Sequence, residues 1–192
     1  MQSTLDRHRG RTTRRRVLAA SLAAAAALAW PGAVRAAHVV RPWPAARPTP
    51  ALNLVDLDGK TWTLAALSGR PVLLNFWASW CEPCRAEMPS LELLATREEK
   101  AGLAILSVNY REPVPTIRRF LETLPFSLPI LLDRDGDAAG AWTPRVFPST
   151  VLIDRRGAAR STVIGEIDWM GADARTLIAP LLARPRAARP GP

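Results

Sequence analysis

The segment NFWASWCEPCRAEMP, residues 75–89, holds the only two cysteines of the chain, Cys81 and Cys84. It overlaps a nearly continuous apolar run, residues 71–77, which is typical of a strand buried on both faces. The pattern from Glu82 to about Lys100 predicts a helix. The cysteine pair is therefore expected to lie between a buried strand and the N-terminus of the helix that follows it. Such a pair is a working dithiol, half of a metal site or a structural bridge.

The remaining patterns predict an α/β domain. Apolar segments on both sides of Asp58-Gly59 predict a β-hairpin near its start. The later elements are a buried strand (103–109), a helix (115–124), a short strand (128–132), a short helix (137–142), a second hairpin (150–165) and a closing helix (172–183). This order predicts a central mixed β-sheet flanked by helices on both faces.

Residues 1–36 have the layout of an export signal. A basic region ends at Arg16, an apolar run covers 17–30, and a small-residue site ends at Ala36. Fourteen apolar residues are too few to span a membrane comfortably, so a cleaved signal is favoured over an uncleaved membrane tether. Residues 13–18 (TRRRVL) resemble a twin-arginine signal, with a general secretory signal as the alternative. We expect a periplasmic or otherwise extracytoplasmic protein, where disulfides persist.

The segments on either side of the domain differ from it in composition. Residues 37–50 contain four prolines and predict an extended linker, so the folded domain is expected to cover 51–183. Residues 184–192 carry three arginines and predict a disordered basic tail. The net charge of +9 comes from the two ends, since residues 37–183 contain 16 basic and 16 acidic side chains. Nucleic acid is therefore not an expected partner. The oligomeric state cannot be inferred from the sequence.

The position of the cysteines suits disulfide exchange. At a helix N-terminus, free amides and the helix dipole stabilise a thiolate at Cys81, which we expect to be the exposed attacking group. Cys84, almost one turn later, can resolve the mixed disulfide. Pro83 suits the first helical turn. The carboxylate of Glu82 favours the thiol form of Cys81, which argues against a strong oxidant.

Several segments together resemble the thioredoxin superfamily, and most closely its TlpA-like branch of exported disulfide reductases. They are Trp80-Cys81-Glu82-Pro83-Cys84 after Asn75-Phe76-Trp77-Ala78, Leu57-Asp58-Gly59-Lys60, Leu67-Ser68-Gly69-Arg70-Pro71 and Phe147-Pro148-Ser149-Thr150-Val151-Leu152-Ile153-Asp154. The resemblance covers residues 51–183 and implies a thioredoxin-like fold with an added N-terminal β-hairpin. It also implies disulfide-bearing clients, such as apocytochrome c or copper-site proteins, and a membrane electron donor.

The same resemblance assigns roles to single residues. It implies that Pro148 is a cis-proline beside the disulfide, and that the backbone at Phe147 is free to pair with an extended substrate. Trp80 is expected at the rim of the site. Asn75 stands where thioredoxins place a buried aspartate. Glu87 matches a glutamate that this branch uses near its dithiol and becomes the expected proton relay for Cys84; the alternative is a solvated helix glutamate.

Other functions are weaker. A zinc site needs three or four ligands, and the only histidine after the signal, His38, lies in the predicted linker. No metal or other cofactor is therefore expected. A disulfide oxidant of the same fold remains an alternative to a reductase. So does a non-enzymatic exported module with a structural Cys81–Cys84 bond, although such a short closed loop stabilises little.

Overall fold

The computed structural model describes residues 38–183. The predicted export signal, with its possible tether, and the predicted basic tail lie outside the described residues. The strands are β1 Val39–Pro42, β2 Asn53–Val55, β3 Thr61–Thr63, β4 Val72–Trp77, β5 Ala104–Tyr110, β6 Ile130–Asp133, β7 Ser149–Ile153 and β8 Ala159–Ile164. The helices are α1 Glu82–Arg97, α2 Val114–Thr123, α3 Asp137–Trp142 and α4 Ala172–Leu182.

Six strands form the predicted central mixed sheet, in the order β1-β8-β7-β4-β5-β6. β4, β5 and β6 are parallel, whereas β7 pairs antiparallel with both β4 and β8. β2 and β3 form the expected separate hairpin, in which Gly59 has a φ of 85°. A single bridge from Asp56 to Leu131 links this hairpin to β6. The carboxyl ends of β4 and β5 lie at one edge of the sheet, where ligand sites of such folds form.

Helices cover both faces of the sheet, as predicted. The central strand β4 is therefore buried along its whole length. Leu73 faces the apolar sides of α1 and α4, and Trp77 faces α2. On the opposite face, Leu74 and Phe76 pack beneath α3 and the β2–β3 hairpin. Successive β4 residues thus point into different cores, which fixes the register that brings Cys81 to the sheet edge.

The prediction of a linker over residues 37–50 is wrong near the start of that segment. Val39–Pro42 forms an edge strand paired antiparallel with β8, in a register that sets Val39 opposite Ile164. Proline is tolerated here because Pro42 ends an edge strand. Further along, Thr49 accepts a hydrogen bond from the Ala159 amide at 2.9 Å. The sheet therefore begins before residue 51.

Among residues 38–183, no helix has the length and apolar character needed to cross a membrane.

Candidate active site

Cys81 and Cys84 form a disulfide at the start of α1, with their Cα atoms 5.3 Å apart. Cys81 is the residue that caps the helix, and its Sγ accepts a hydrogen bond from the Cys84 amide at 3.3 Å. Pro83 occupies the first turn, where its missing N–H leaves no acceptor unsatisfied. In the reduced form the same amides and the helix dipole stabilise a thiolate on Cys81.

Both cysteines are more deeply buried than expected. Cys81 is 6% exposed and Cys84 is 1% exposed, so the prediction of an exposed attacking cysteine is wrong for the disulfide form. They belong to an apolar cluster with Trp77 and Met88, and Phe147 packs against that cluster. Only an edge of Cys81 therefore meets solvent, and a client disulfide must approach within the surrounding aromatic rim.

Glu82 does not act alone beside Cys81. Its carboxylate is 81% exposed and pairs at 3.1 Å with the guanidinium of Arg85, one turn along α1. Solvent and the paired cation both weaken the repulsion that this carboxylate exerts on a thiolate. The redox-tuning role expected of Glu82 is thus opposed by a residue that the sequence analysis did not consider.

Glu87 is buried beneath the dithiol rather than solvated on the helix surface. It is 2% exposed and lies one turn after Cys84 on the same face of α1. Asn75 of β4 donates to one Glu87 oxygen at 2.7 Å, and the Ile167 amide donates to the other at 3.4 Å. Asn75 also donates to the Thr150 hydroxyl at 2.9 Å. Asn75, which stands where thioredoxins place a buried aspartate, therefore supplies the side-chain amide that binds the Glu87 carboxyl.

Burial raises the pKa of Glu87 to about 8, because an ionised carboxylate loses its water there. The hydrogen bonds from Asn75 and Ile167 oppose this effect by stabilising the ionised form, and the nearby Glu166 adds to it. A carboxyl that titrates near neutral pH can accept and return a proton under working conditions.

An aromatic rim surrounds the exposed edge of the disulfide. Trp80 is 65% exposed, and its ring meets that of Phe147 edge-on at 6.2 Å. Tyr110, which the sequence analysis did not single out, packs against Phe147 at 4.9 Å. The Phe147–Pro148 bond is cis, as the resemblance implied. Within the described part of the chain, neither the amide nor the carbonyl of Phe147 has a hydrogen-bond partner.

Glu112 anchors the loop that leads into the cysteine motif. Its carboxylate accepts from the Ser79 amide at 2.7 Å, from the Ser79 hydroxyl at 2.5 Å and from the Asn109 side chain at 2.7 Å. This role of Glu112 was not predicted from the sequence. The sequence did contain a signal for it. Glu112 follows the carboxyl end of the buried strand β5, which is parallel to β4, the strand that precedes Cys81.

The described residues bring together every residue that was predicted for the site. Within residues 38–183, no cluster of three or more histidine, cysteine, aspartate or glutamate side chains could hold a metal ion. The site contains a helix-capping sulfur, a second sulfur behind it, a protonatable carboxyl and an aromatic rim. These parts suit the exchange of one disulfide for another.

Comparisons with known proteins point the same way. Residues 45–162 match the model of the AhpC/TSA family. The thiol-disulfide oxidoreductase ResA of Geobacillus thermodenitrificans is 36% identical over 116 residues, which make up 60% of this chain and 67% of that protein. The crystal structure of a thiol:disulfide interchange protein DsbE from Chlorobium tepidum aligns with a TM-score of 0.66 and 25% identity, covering 71% of this chain and 96% of that one. A secreted Mycobacterium tuberculosis disulfide oxidoreductase aligns with a TM-score of 0.51 and 25% identity, covering 57% and 81%.

Proposed function

Because this chain belongs to the AhpC/TSA family and is a thiol-disulfide oxidoreductase similar to ResA, we propose that it reduces disulfides of extracytoplasmic client proteins. The observation that carries the proposal is the position of Glu87, a buried carboxyl with a pKa near 8, one turn below Cys84. A reductase must deprotonate its second cysteine to release each client. The position of Glu87 on the same helix face as Cys84 supports a role for it as the acceptor of that proton.

The reaction proceeds in two exchanges. The Cys81 thiolate attacks one sulfur of the client disulfide, which forms a mixed disulfide and releases the other client sulfur as a thiolate. Cys84 then passes its proton to Glu87 and attacks the Cys81 sulfur, which releases the second client thiolate. The proton held by Glu87 and one proton from solvent then protonate the two released client thiolates. Two electrons pass from the protein to the client, and the Cys81–Cys84 disulfide remains. A membrane electron donor must then reduce it again.

The client is held at the aromatic rim. Trp80 and Phe147 offer an apolar surface beside Cys81, and the unpaired amide and carbonyl of Phe147 suit pairing with an extended client chain. Pro148 fixes the chain direction at that point, and its carbonyl accepts from the Gly165 amide at 2.9 Å. This pairing uses backbone groups, which every client chain carries.

Two observations support an extracytoplasmic location for this protein. The signal-like residues 1–36, with twin arginines, support export to the periplasm or another extracytoplasmic compartment. The similar secreted oxidoreductase of Mycobacterium tuberculosis supports the same location. Apocytochrome c and copper-site proteins are the client classes that the family resemblance favours.

The thiol state of the protein in growing cells tests the direction of electron flow. We expect acid quenching followed by maleimide alkylation to label both Cys81 and Cys84 in most molecules, because a reductase is kept reduced by its donor. The Cys81→Ser, Cys84→Ser double variant gives the unlabelled reference. A population found mainly as the disulfide would contradict the reductase proposal and would fit an oxidant or an inert bridge.

A further inference from the structure

A second apolar recess lies beside the aromatic rim, on the side of the edge strand β1. We call it the tryptophan groove. It has a volume of about 350 Å³. Its apolar walls are Pro42, Trp43, Pro44, Trp142, Pro144 and Val146. Trp43 precedes the residues that match the family model, so one wall of the groove belongs to the segment that the sequence analysis treated as a linker.

The groove is held open by contacts among its own walls. The Trp43 and Trp142 rings lie 6.0 Å apart at a tilt of 51°. The Arg47 guanidinium stacks over the Trp43 ring at 4.4 Å and donates to the Ala141 carbonyl. The Trp43 indole N–H donates back to the Arg47 carbonyl at 2.9 Å. A recess built this way needs little ordering when a ligand enters, which favours binding.

The groove is continuous with the redox surface. Val146, which lines it, is 49% exposed and directly precedes Phe147 of the aromatic rim. The chain reaches this position through Arg145, whose φ of 59° is rare for a residue other than glycine. The Thr143 hydroxyl accepts from the Arg145 amide at 2.9 Å and supports this turn. An extended chain that pairs beside Phe147 therefore runs over the groove within a few residues.

The charges around the groove favour an occupant that carries a negative charge. Arg41 and Arg47 border it, and none of the acidic side chains within residues 38–183 lines it. The chain's own ends are rich in arginine, with seven in residues 1–36 and three in residues 184–192, so these borders repel them. A segment that brings an aromatic ring for the walls and a carboxylate for the arginines is complementary to both.

We propose that the tryptophan groove binds an aromatic side chain next to an acidic residue, in the extended client segment that flanks the reactive cysteine. This inference rests on the proposed function, because it places the groove along the path of a client held at Cys81 and Phe147. It gives the protein a side-chain preference that backbone pairing at Phe147 cannot supply.

The test uses synthetic ten-residue peptides, each with one cysteine as a mixed disulfide with 2-mercaptoethanol. A tryptophan is moved through the four positions on each side of the cysteine, with glutamate or lysine beside it. The full-length reduced protein donates two electrons to each peptide, and the released peptide thiol is measured by chromatography. Each rate is divided by the same protein's rate with hydroxyethyl disulfide, which is too small to reach the groove.

We expect one tryptophan position to raise the relative rate about tenfold, as burial of a large aromatic side chain in a preformed recess does. Glutamate beside it should be preferred over lysine by about threefold. Trp43→Ala should remove the tryptophan preference. Arg41→Glu, an exposed change on β1, should reverse the charge preference. Arg156→Glu, an exposed change at the turn between β7 and β8, does not line the groove; it is the matched control and should keep both preferences.

Three results would overturn the inference. The first is a relative rate that varies less than twofold with tryptophan position. The second is a preference that survives in both Trp43→Ala and Arg41→Glu. The third is a concentration-dependent dimer that Trp43→Ala abolishes, since the groove would then bind a second copy. Failure to reduce even hydroxyethyl disulfide would instead reject the proposed function, so the two failures are distinguishable.

Discussion

Replacing Cys84 with serine is expected to abolish turnover and to accumulate covalent client adducts on Cys81. Serine cannot attack the mixed disulfide, whereas Cys81 keeps its place at the helix N-terminus and the amide of residue 84 beside its sulfur. We expect multiple-turnover reduction of insulin disulfides to fall to the uncatalysed rate. Non-reducing electrophoresis of the variant from whole cells should show bands of higher mass that disappear on treatment with dithiothreitol.

The matched control is Cys81→Ser. It removes the attacking sulfur and leaves Cys84, which is 1% exposed and lies behind Cys81. This variant should be as inactive as Cys84→Ser but should trap no clients. Equal trapping by both variants would show that the two cysteines do not have the separate roles assigned here. If neither Cys84→Ser nor Cys81→Ser forms adducts, the result would support the structural-bridge alternative.

Replacing Glu87 with glutamine is expected to slow the release of trapped clients by about a hundredfold, the lower end of the usual range for a positioned acid or base. Glutamine can occupy the same space beside Asn75 but cannot accept the Cys84 proton. Because the pKa of Glu87 is about 8, the release rate of the natural protein should rise up to about that pH. Stopped-flow measurement of release against pH should lose this inflection in the variant. The conservative Glu87→Asp variant should restore part of it.

The same substitution should change how stability depends on pH. In the unfolded chain Glu87 loses its proton near pH 4.5, whereas the folded chain keeps it until about pH 8. Between these values the folded state binds more protons, so the free energy of unfolding falls as pH rises, by up to about 1.4 kcal/mol per pH unit. The stability that Glu87 contributes is complete below pH 4.5 and is lost toward pH 8. Glu87→Gln should remove this slope in urea titrations.

Glu122→Gln provides the control for both Glu87 measurements, because this side chain is exposed on α2. It should leave the release rate and the pH dependence of stability as they are in the natural protein. A Glu87→Gln variant with normal release kinetics and an unchanged pH slope would contradict the assignment of a buried carboxyl at this site.

The elements that could be predicted from the sequence are those with strong local patterns. The unbroken apolar run at β4 and the Asp58-Gly59 turn led to elements placed within one or two residues of those observed. β1 was missed because four residues with only two apolar side chains show no period, and nearby prolines suggested a linker. Its position depends on pairing with β8, about 120 residues later, which no local pattern encodes.

The site residues likewise divide into those whose roles depend on local sequence patterns and those whose roles depend on contacts between distant segments. The roles of Cys81 and Cys84 depend on their spacing and on the helix that follows, and both are local features. The hydrogen bond from Asn75 to Glu87 joins a strand to a helix, and Glu112 reaches Ser79 from the loop after β5. Such contacts appear only once the sheet order is known. The burial of Cys81 likewise depends on Phe147, which arrives from a distant loop.

The central claim is that Cys81 and Cys84 form a reducing dithiol, and the reduction potential of this couple tests it most directly. The purified protein is equilibrated in dithiothreitol or glutathione redox buffers, and the fraction of disulfide is read by alkylation and mass. We predict a potential near that of thioredoxin, about −270 mV. A value near that of the strong oxidant DsbA, about −120 mV, would contradict the claim, because the dithiol would then oxidise its clients.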